Sequence, residues 1–225
     1  MTGRWRRCSH DAQIGFFPCG YNPDIWKGCL RVDTNEYFDD PSTRLAVGAE
    51  NMLVLATLVQ PHSEGKVVLQ SLDPADHPAI DMNYYDDPHD LTVMVAVMRR
   101  VLEIVAHWPA HRTIGPLLIP PLLATKHRHV EGAVPSDALL EDLALHYSWT
   151  VYHPTTTCRI GSVVDPRLRV IGVERLRVAD ASVMPNVVSG NTNAASIMIG
   201  EKAAEMLAAD HGVNLKEFVG EVPAG

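Results

Sequence analysis

The sequence predicts an α+β chain, an antiparallel sheet covered by helices and followed by a C-terminal strand-and-helix segment. Three observations carry that expectation. Met52 to Val59 is a nearly continuous apolar run of strand length. Lys66 to Ser71 alternates after the turn Pro61-His62-Ser63-Glu64-Gly65, so the two runs read as a hairpin. Asp87-Pro88 then opens an amphipathic stretch, with Leu91, Met94, Val95, Met98, Val101, Leu102 and Val105 on one face and Arg99, Arg100 and Glu103 opposite. The pattern divides the chain into residues 1–150, 151–210 and a tail over 211–225.

The first 50 residues are irregular, with Pro18, Pro23 and Pro41 among many Asp and Asn. Within them Ala12 to Pro18 reads as one strand, and Trp5, Tyr21, Trp26 and Tyr37 read as packing residues. Asp73-Pro74 and His77-Pro78 punctuate the chain before a short strand over Ile80 to Tyr85. The cover helix ends near Trp108-Pro109. Its methionines at helical spacing read as core. Ile114 to Leu123 carries three prolines and reads as an extended loop, and Lys126 to His129 as a solvated one. Pro135-Ser136 starts another helix, with Leu139, Leu140 and Leu143 inward, which ends near Tyr147 and leads to His153. The tail has only Leu215, Phe218 and Val219 with which to dock.

Composition narrows the function classes. Apolar content of 46% and charged content of 20% are those of a globular protein. A formal charge of −8 and a pI near 5.7 argue against nucleic-acid or anionic-membrane partners. Cys8, Cys19, Cys29 and Cys158 show no C-x-x-C spacing and read as reduced thiols of a cytoplasmic protein. Their spacing is a poor one for zinc even with His10 added, so no metal is expected. Arg4, Arg6 and Arg7 precede no apolar signal core, and no apolar run approaches the roughly 20 residues needed to span a membrane.

The stretch from Tyr152 to Asp210 organises the rest. Leu176 to Ala179 reads as a strand ending at Asp180, which puts Asp180-Ala181-Ser182 just past a strand end, where α/β sheets bind ligands. Pro185 stops a helix there. Ser189-Gly190-Asn191 supplies turn and N-cap chemistry, and Thr192 to Ala209 is rich in helix formers, with Ile197, Glu201, Ala204 and Ala208 on one face and Met198 beside it. A helix starting at Asn191 points free N–H groups and a positive dipole end forward, which suits an anion. On spacing alone, Asn191 as a plain N-cap and His153 as a structural histidine stay open beside the functional reading.

Five blocks of residues in this stretch resemble the C-terminal half of the glucose–methanol–choline (GMC) family of flavin-dependent alcohol oxidoreductases, and its choline-dehydrogenase-like members above all. They are His153-Pro154-Thr155-Thr156-Thr157-Cys158-Arg159-Ile160-Gly161, Val163 to Val173, Leu176 to Pro185, Ser189 to Ala194 and Met198 to Ala204. The resemblance extends from about Asp11 to Asp210 and is weakest before Asn51. It implies a substrate domain built on a large antiparallel sheet, FAD as cofactor and a small-molecule alcohol as substrate. It implies that His153 accepts the substrate hydroxyl proton while hydride leaves for flavin N5, and that Asn191 binds the same oxygen. It also implies that Asp180-Ala181 and Asn191-Thr192 lie against the flavin. The residue types suit this chemistry, since an imidazole is a competent base and an amide holds an oxygen without competing for its proton. Thr156 stands where the family pattern has Gly, Ile160 where it has Met and Ile171 where it often has His.

The family's flavin-binding half opens with a strand, Gly-x-Gly-x-x-Gly and a helix, and no such run occurs here; Gly15, Gly20 and Gly28 are too far apart. The expectation is therefore a catalytic and substrate-binding portion that completes a flavin-binding α/β domain supplied elsewhere, by a Rossmann-type partner chain or a missing N-terminal half. A cyanohydrin-cleaving lyase of the same family and a non-catalytic assembly subunit are the alternatives.

Overall fold

A computed structural model of the protein describes residues 12–17, 52–109 and 117–215. Expectations for Trp5, Tyr21, Trp26, Tyr37, Cys8, Cys19, Cys29, His10, Phe218 and Val219 lie outside those residues, as does the start of the Ile114 to Leu123 stretch. The chain divides into two compact units, one of residues 1–63 and 84–149 and one of residues 64–83 and 150–225.

In the first unit, strand β1 (Ala12–Phe17) pairs antiparallel with β2 (Leu53–Leu58), with Ala12 opposite Leu58 and Phe17 opposite Leu53. The expected hairpin between β2 and the Lys66 run does not form. The chain after β2 is held instead by helix α1 (Pro88–His107). The buried Asp90 carboxylate accepts the backbone N–H of His62 and of Ser63, each at 2.8 Å, and Ser63 Oγ accepts the N–H of Asp87. N–H groups committed to a helix side chain are not available to a hairpin turn.

Helix α1 starts as its sequence predicts, with Asp87 accepting the His89 N–H at the N-cap and Pro88 in the first turn. It packs across β1 and β2 and against helix α3 (Asp137–Tyr147), burying Met94 and Val97. The Phe16 and Trp108 rings meet edge to face at 5.5 Å. Ser136 caps α3 through the Leu139 N–H, and Leu139, Leu140 and Ala144 are buried. Full burial of each of those leucines stabilises by about 1.5–3 kcal/mol.

Pro121–Lys126, expected as loop, is a short helix, α2, because Pro121 sits in a first turn that needs no N–H donor. Nor is His127 solvated. Its ring meets Asp142 Oδ2 at 2.6 Å, and Lys126 reaches the same carboxylate, whose pKa is lowered chiefly by Lys126 and then by His127.

In the second unit, β3 (Lys66–Val68) pairs antiparallel with β4 (Ala79–Asp81). Lys66 stands opposite Asp81, a register in which unlike charges face each other. The described residues thus hold two small antiparallel ladders with helices. The unit's core is Val164, Leu168, Val183, Met184, Ile199 and Ala203. It forms where helix α4 (Asn193–Asp210) meets the irregular chain before it.

The strand expected over Leu176 to Ala179 is reduced to one bridge, between Arg169 and Arg177, flanked by Val170 N–H to Leu176 and Val178 N–H to Leu168. Leu168, at φ +63°, breaks the pleat that a longer ladder requires. The buried face of α4 carries Ile199, Ala203 and Ala208, whereas Ile197 and Met198 are exposed, so the face expected from spacing is rotated.

Candidate active site

The second unit brings the two ends of the Tyr152 to Asp210 stretch together. His153 is half-buried on an arm bounded by two residues in the left-handed region, Tyr152 at φ +62° and Thr156 at φ +72°. The second of these is where the resembled pattern has glycine, and the backbone conformation gives the reason: only glycine takes that region without a Cβ penalty. Beyond it the arm is tied to the chain near Asp180. Cys158 N–H donates to Ser182 O at 2.9 Å and Ile160 N–H to Val183 O at 3.0 Å.

Asp180 and Ala181 lie where a short 3-10 turn, Ala181–Val183, begins. The Asp180 carboxylate caps that turn by accepting the Ser182 N–H at 2.8 Å and also receives the Ser182 hydroxyl. Asp180 itself is exposed, and Ala181 packs against the core cluster. The turn packs on α4.

Helix α4 begins one residue later than expected. Asn191 is exposed and precedes the helix, and the N-cap is Thr192. The Thr192 side chain makes no capping bond. Its Oγ1 stands 3.1 Å from His153 Nδ1, across 39 residues of sequence. The first turn of α4 carries no acidic residue. Nearby in sequence, Thr155 Oγ1 is buried without a hydrogen-bond partner among the described residues. The structure thus joins His153 to Thr192 directly, and through backbone bonds and the shared core to Asp180 and Ala181. It brings Asn191 alongside as the residue before Thr192.

The other end of α4 is anchored. Asp210 accepts Arg167 at 2.6 Å, Arg169 at 2.7 Å and Arg177, and Arg167 also donates to the Met206 carbonyl at 3.2 Å. The guanidinium of Arg169 first, with that of Arg177, brings the Asp210 carboxyl down to about 2. Arginines at a helix C-terminus also complement its dipole.

Sequence reasoning missed this anchor, Asp90 and the Thr192 contact. Only the arginine spacing in Arg167-Leu168-Arg169 and Arg177 hinted at the first. A cleft lined by Leu122, Leu123, Lys126, His146 and Tyr147 belongs to the first unit and includes none of the expected site residues. Among the described residues no three His, Cys, Asp or Glu side chains converge on a metal position, and no helix is long and apolar enough to cross a membrane.

Comparison with known proteins gives this arrangement its context. The family model for GMC oxidoreductase matches residues 61–200. An alcohol dehydrogenase [acceptor] of Pseudomonas putida is 39% identical over 181 residues, 76% of this chain and 30% of that protein. A choline oxidase of Arthrobacter globiformis is 41% identical over 153 residues, 64% of this chain and 26% of that protein. Among solved structures, an Aspergillus oryzae formate oxidase studied for its FAD modification superposes with a TM-score of 0.63 at 28% identity, over 80% of this chain and 30% of its own. The chain spans about 30% of the length of the first of these relatives.

Proposed function

This chain belongs to the GMC oxidoreductase family, matching its C-terminal domain, and we propose that it forms the substrate-facing, catalytic portion of an FAD-dependent alcohol oxidoreductase. The observation that carries the proposal is the meeting of His153 with the head of α4 at Thr192, beside Asn191. In this reading His153 removes the proton of the substrate hydroxyl. Asn191 holds the oxygen that loses it, with an amide that donates without taking the proton itself. Bound FAD would supply the acceptor, at N5, for the hydride that the alcohol carbon gives up.

The donor set fits that cofactor. The N–H groups of the first turn of α4 have no side-chain cap, and that turn carries no acidic residue, which favours a ring edge that gains negative charge. Thr155 Oγ1 adds a buried hydroxyl with no partner among the described residues. Asp180, Ala181, Asn191 and Thr192 are the residues that would lie against the flavin. The dinucleotide is held mainly by a flavin-binding part outside these 225 residues. The assembled protein acts on small alcohols in the cytoplasm, with Cys158 as a thiol.

Purifying the protein from its native source, with mass and visible spectrum recorded together, tests the assignment. The expected result is flavin absorbance together with polypeptide of flavin-binding type, as a second chain or as further length of this one. A single colourless chain of 24.7 kDa would overturn it.

A further inference from the structure

We propose that Thr192 is a positioning residue for His153: its hydroxyl holds Nδ1, fixes the ring and its tautomer, and leaves Nε2 as the atom that takes the substrate proton. The proposal deepens the reading of His153 as the base and rests on it.

A threonine at a helix N-cap ordinarily turns its hydroxyl back to the N–H two or three residues on. Thr192 does not. Its backbone is already helical, at φ −81° and ψ −7°, and the side chain makes no capping bond. The hydroxyl is directed instead to His153 Nδ1 at 3.1 Å, and Thr192 is only 9% exposed. Ser196 fixes the backbone behind it, with both its N–H, at 2.9 Å, and its Oγ, at 2.8 Å, donating to the Thr192 carbonyl. The helix is thus braced at the residue that meets the imidazole, while its far end is held by Asp210.

A neutral imidazole carries one N–H, and the partner of one ring nitrogen decides which. A hydroxyl oxygen that accepts from Nδ1–H leaves the lone pair on Nε2. In the proton-transfer step the substrate O–H bond breaks and an Nε2–H bond forms. The ring then carries two N–H groups, and Nδ1–H needs an acceptor in a partly buried place. Thr192 Oγ1 supplies that acceptor before and after the transfer, so the ring need not turn.

The test labels the histidines of the FAD-bound protein with nitrogen-15 and assigns the His153 ring signals by their loss in His153→Ala. The expected spectrum has Nδ1 protonated and Nε2 bare in the neutral ring. Thr192→Val shifts the two signals toward a mixture of tautomers, and Thr192→Ser restores them. In alcohol oxidation Thr192→Val lowers kcat about tenfold with KM little changed, the scale on which groups that orient a ligand act, and Thr192→Ser recovers most of it. Unchanged ring signals in Thr192→Val, or an Nε2–H tautomer in the unsubstituted protein, would overturn the proposal. If the signals move as expected while His153→Ala keeps full activity, the contact stands and the reading of His153 as the base fails.

Discussion

Asp210, the last residue of α4, holds Arg169 at 2.7 Å across 41 residues of sequence. With Arg167 and Arg177 on the same carboxylate, this ties the C-terminal end of the helix to the Asp165-to-Val178 segment. The same helix meets His153 at its other end. Whatever fixes α4 along its axis therefore fixes the register between Thr192 and the imidazole.

Acid should loosen that anchor in a defined window. Interaction with Arg169 and Arg177 lowers the Asp210 carboxyl from 3.8 to about 2 on folding. A depressed carboxyl contributes stability that is fully present above its unfolded value and is lost as pH falls toward the folded one. Asp210→Asn should therefore melt below the unsubstituted protein at neutral pH. The gap should narrow between about pH 4 and about pH 2 as the native carboxylate is protonated. A gap that stays constant through that window would show that the carboxylate charge is not what holds the helix.

Asp90 should be the costliest polar residue to lose in the first unit. It is 1% exposed and accepts two backbone N–H groups. Burial pushes its carboxyl up, but the bonds from His62 and Ser63 outweigh that and leave it lowered. Asp90→Ala should reduce unfolding free energy by about 2–3 kcal/mol, because two partly buried donors lose their acceptor. Denaturant melts followed at the α1 helix signal measure this.

Thr156→Gly should stabilise the His153 arm. At φ +72° a β-branched side chain meets the carbonyl oxygen that left-handed backbone brings close. Relief of about 1–2 kcal/mol is partly offset by the greater freedom of glycine in the unfolded chain, about 0.5–1 kcal/mol. The expected outcome is a rise of up to about 1.5 kcal/mol in a thermal or denaturant melt. A drop of similar size would mean that the Thr156 side chain makes a contact worth more than the strain.

Much of this was legible in the sequence. Asp87-Pro88 and Pro135-Ser136 marked two helix starts because capping is local chemistry, decided within one turn. The strand at Ala12–Phe17 was legible from its composition, but its partner was not. Periodicity says that a run is extended, not which run it meets. The hairpin expectation failed because Asp90, distant in sequence, takes the N–H groups of the turn. The helix-forming run after Asn191 was legible, but its first residue was not, since Asn191 and Thr192 are both good caps by residue type. The family pattern has Gly where Thr156 stands, but that Thr156 itself takes a positive φ was not legible, because residue type alone does not fix a backbone angle.

Anaerobic mixing of the FAD-bound protein with ethanol, benzyl alcohol or choline tests His153 as the base for alcohol oxidation. Flavin absorbance is followed in the unsubstituted protein and in His153→Ala. Bleaching by at least one alcohol is expected, slowed about 100- to 10,000-fold in the variant, the usual range for loss of a general base. Bleaching at the unsubstituted rate in His153→Ala, or none with any of the three alcohols in the unsubstituted protein, would contradict it.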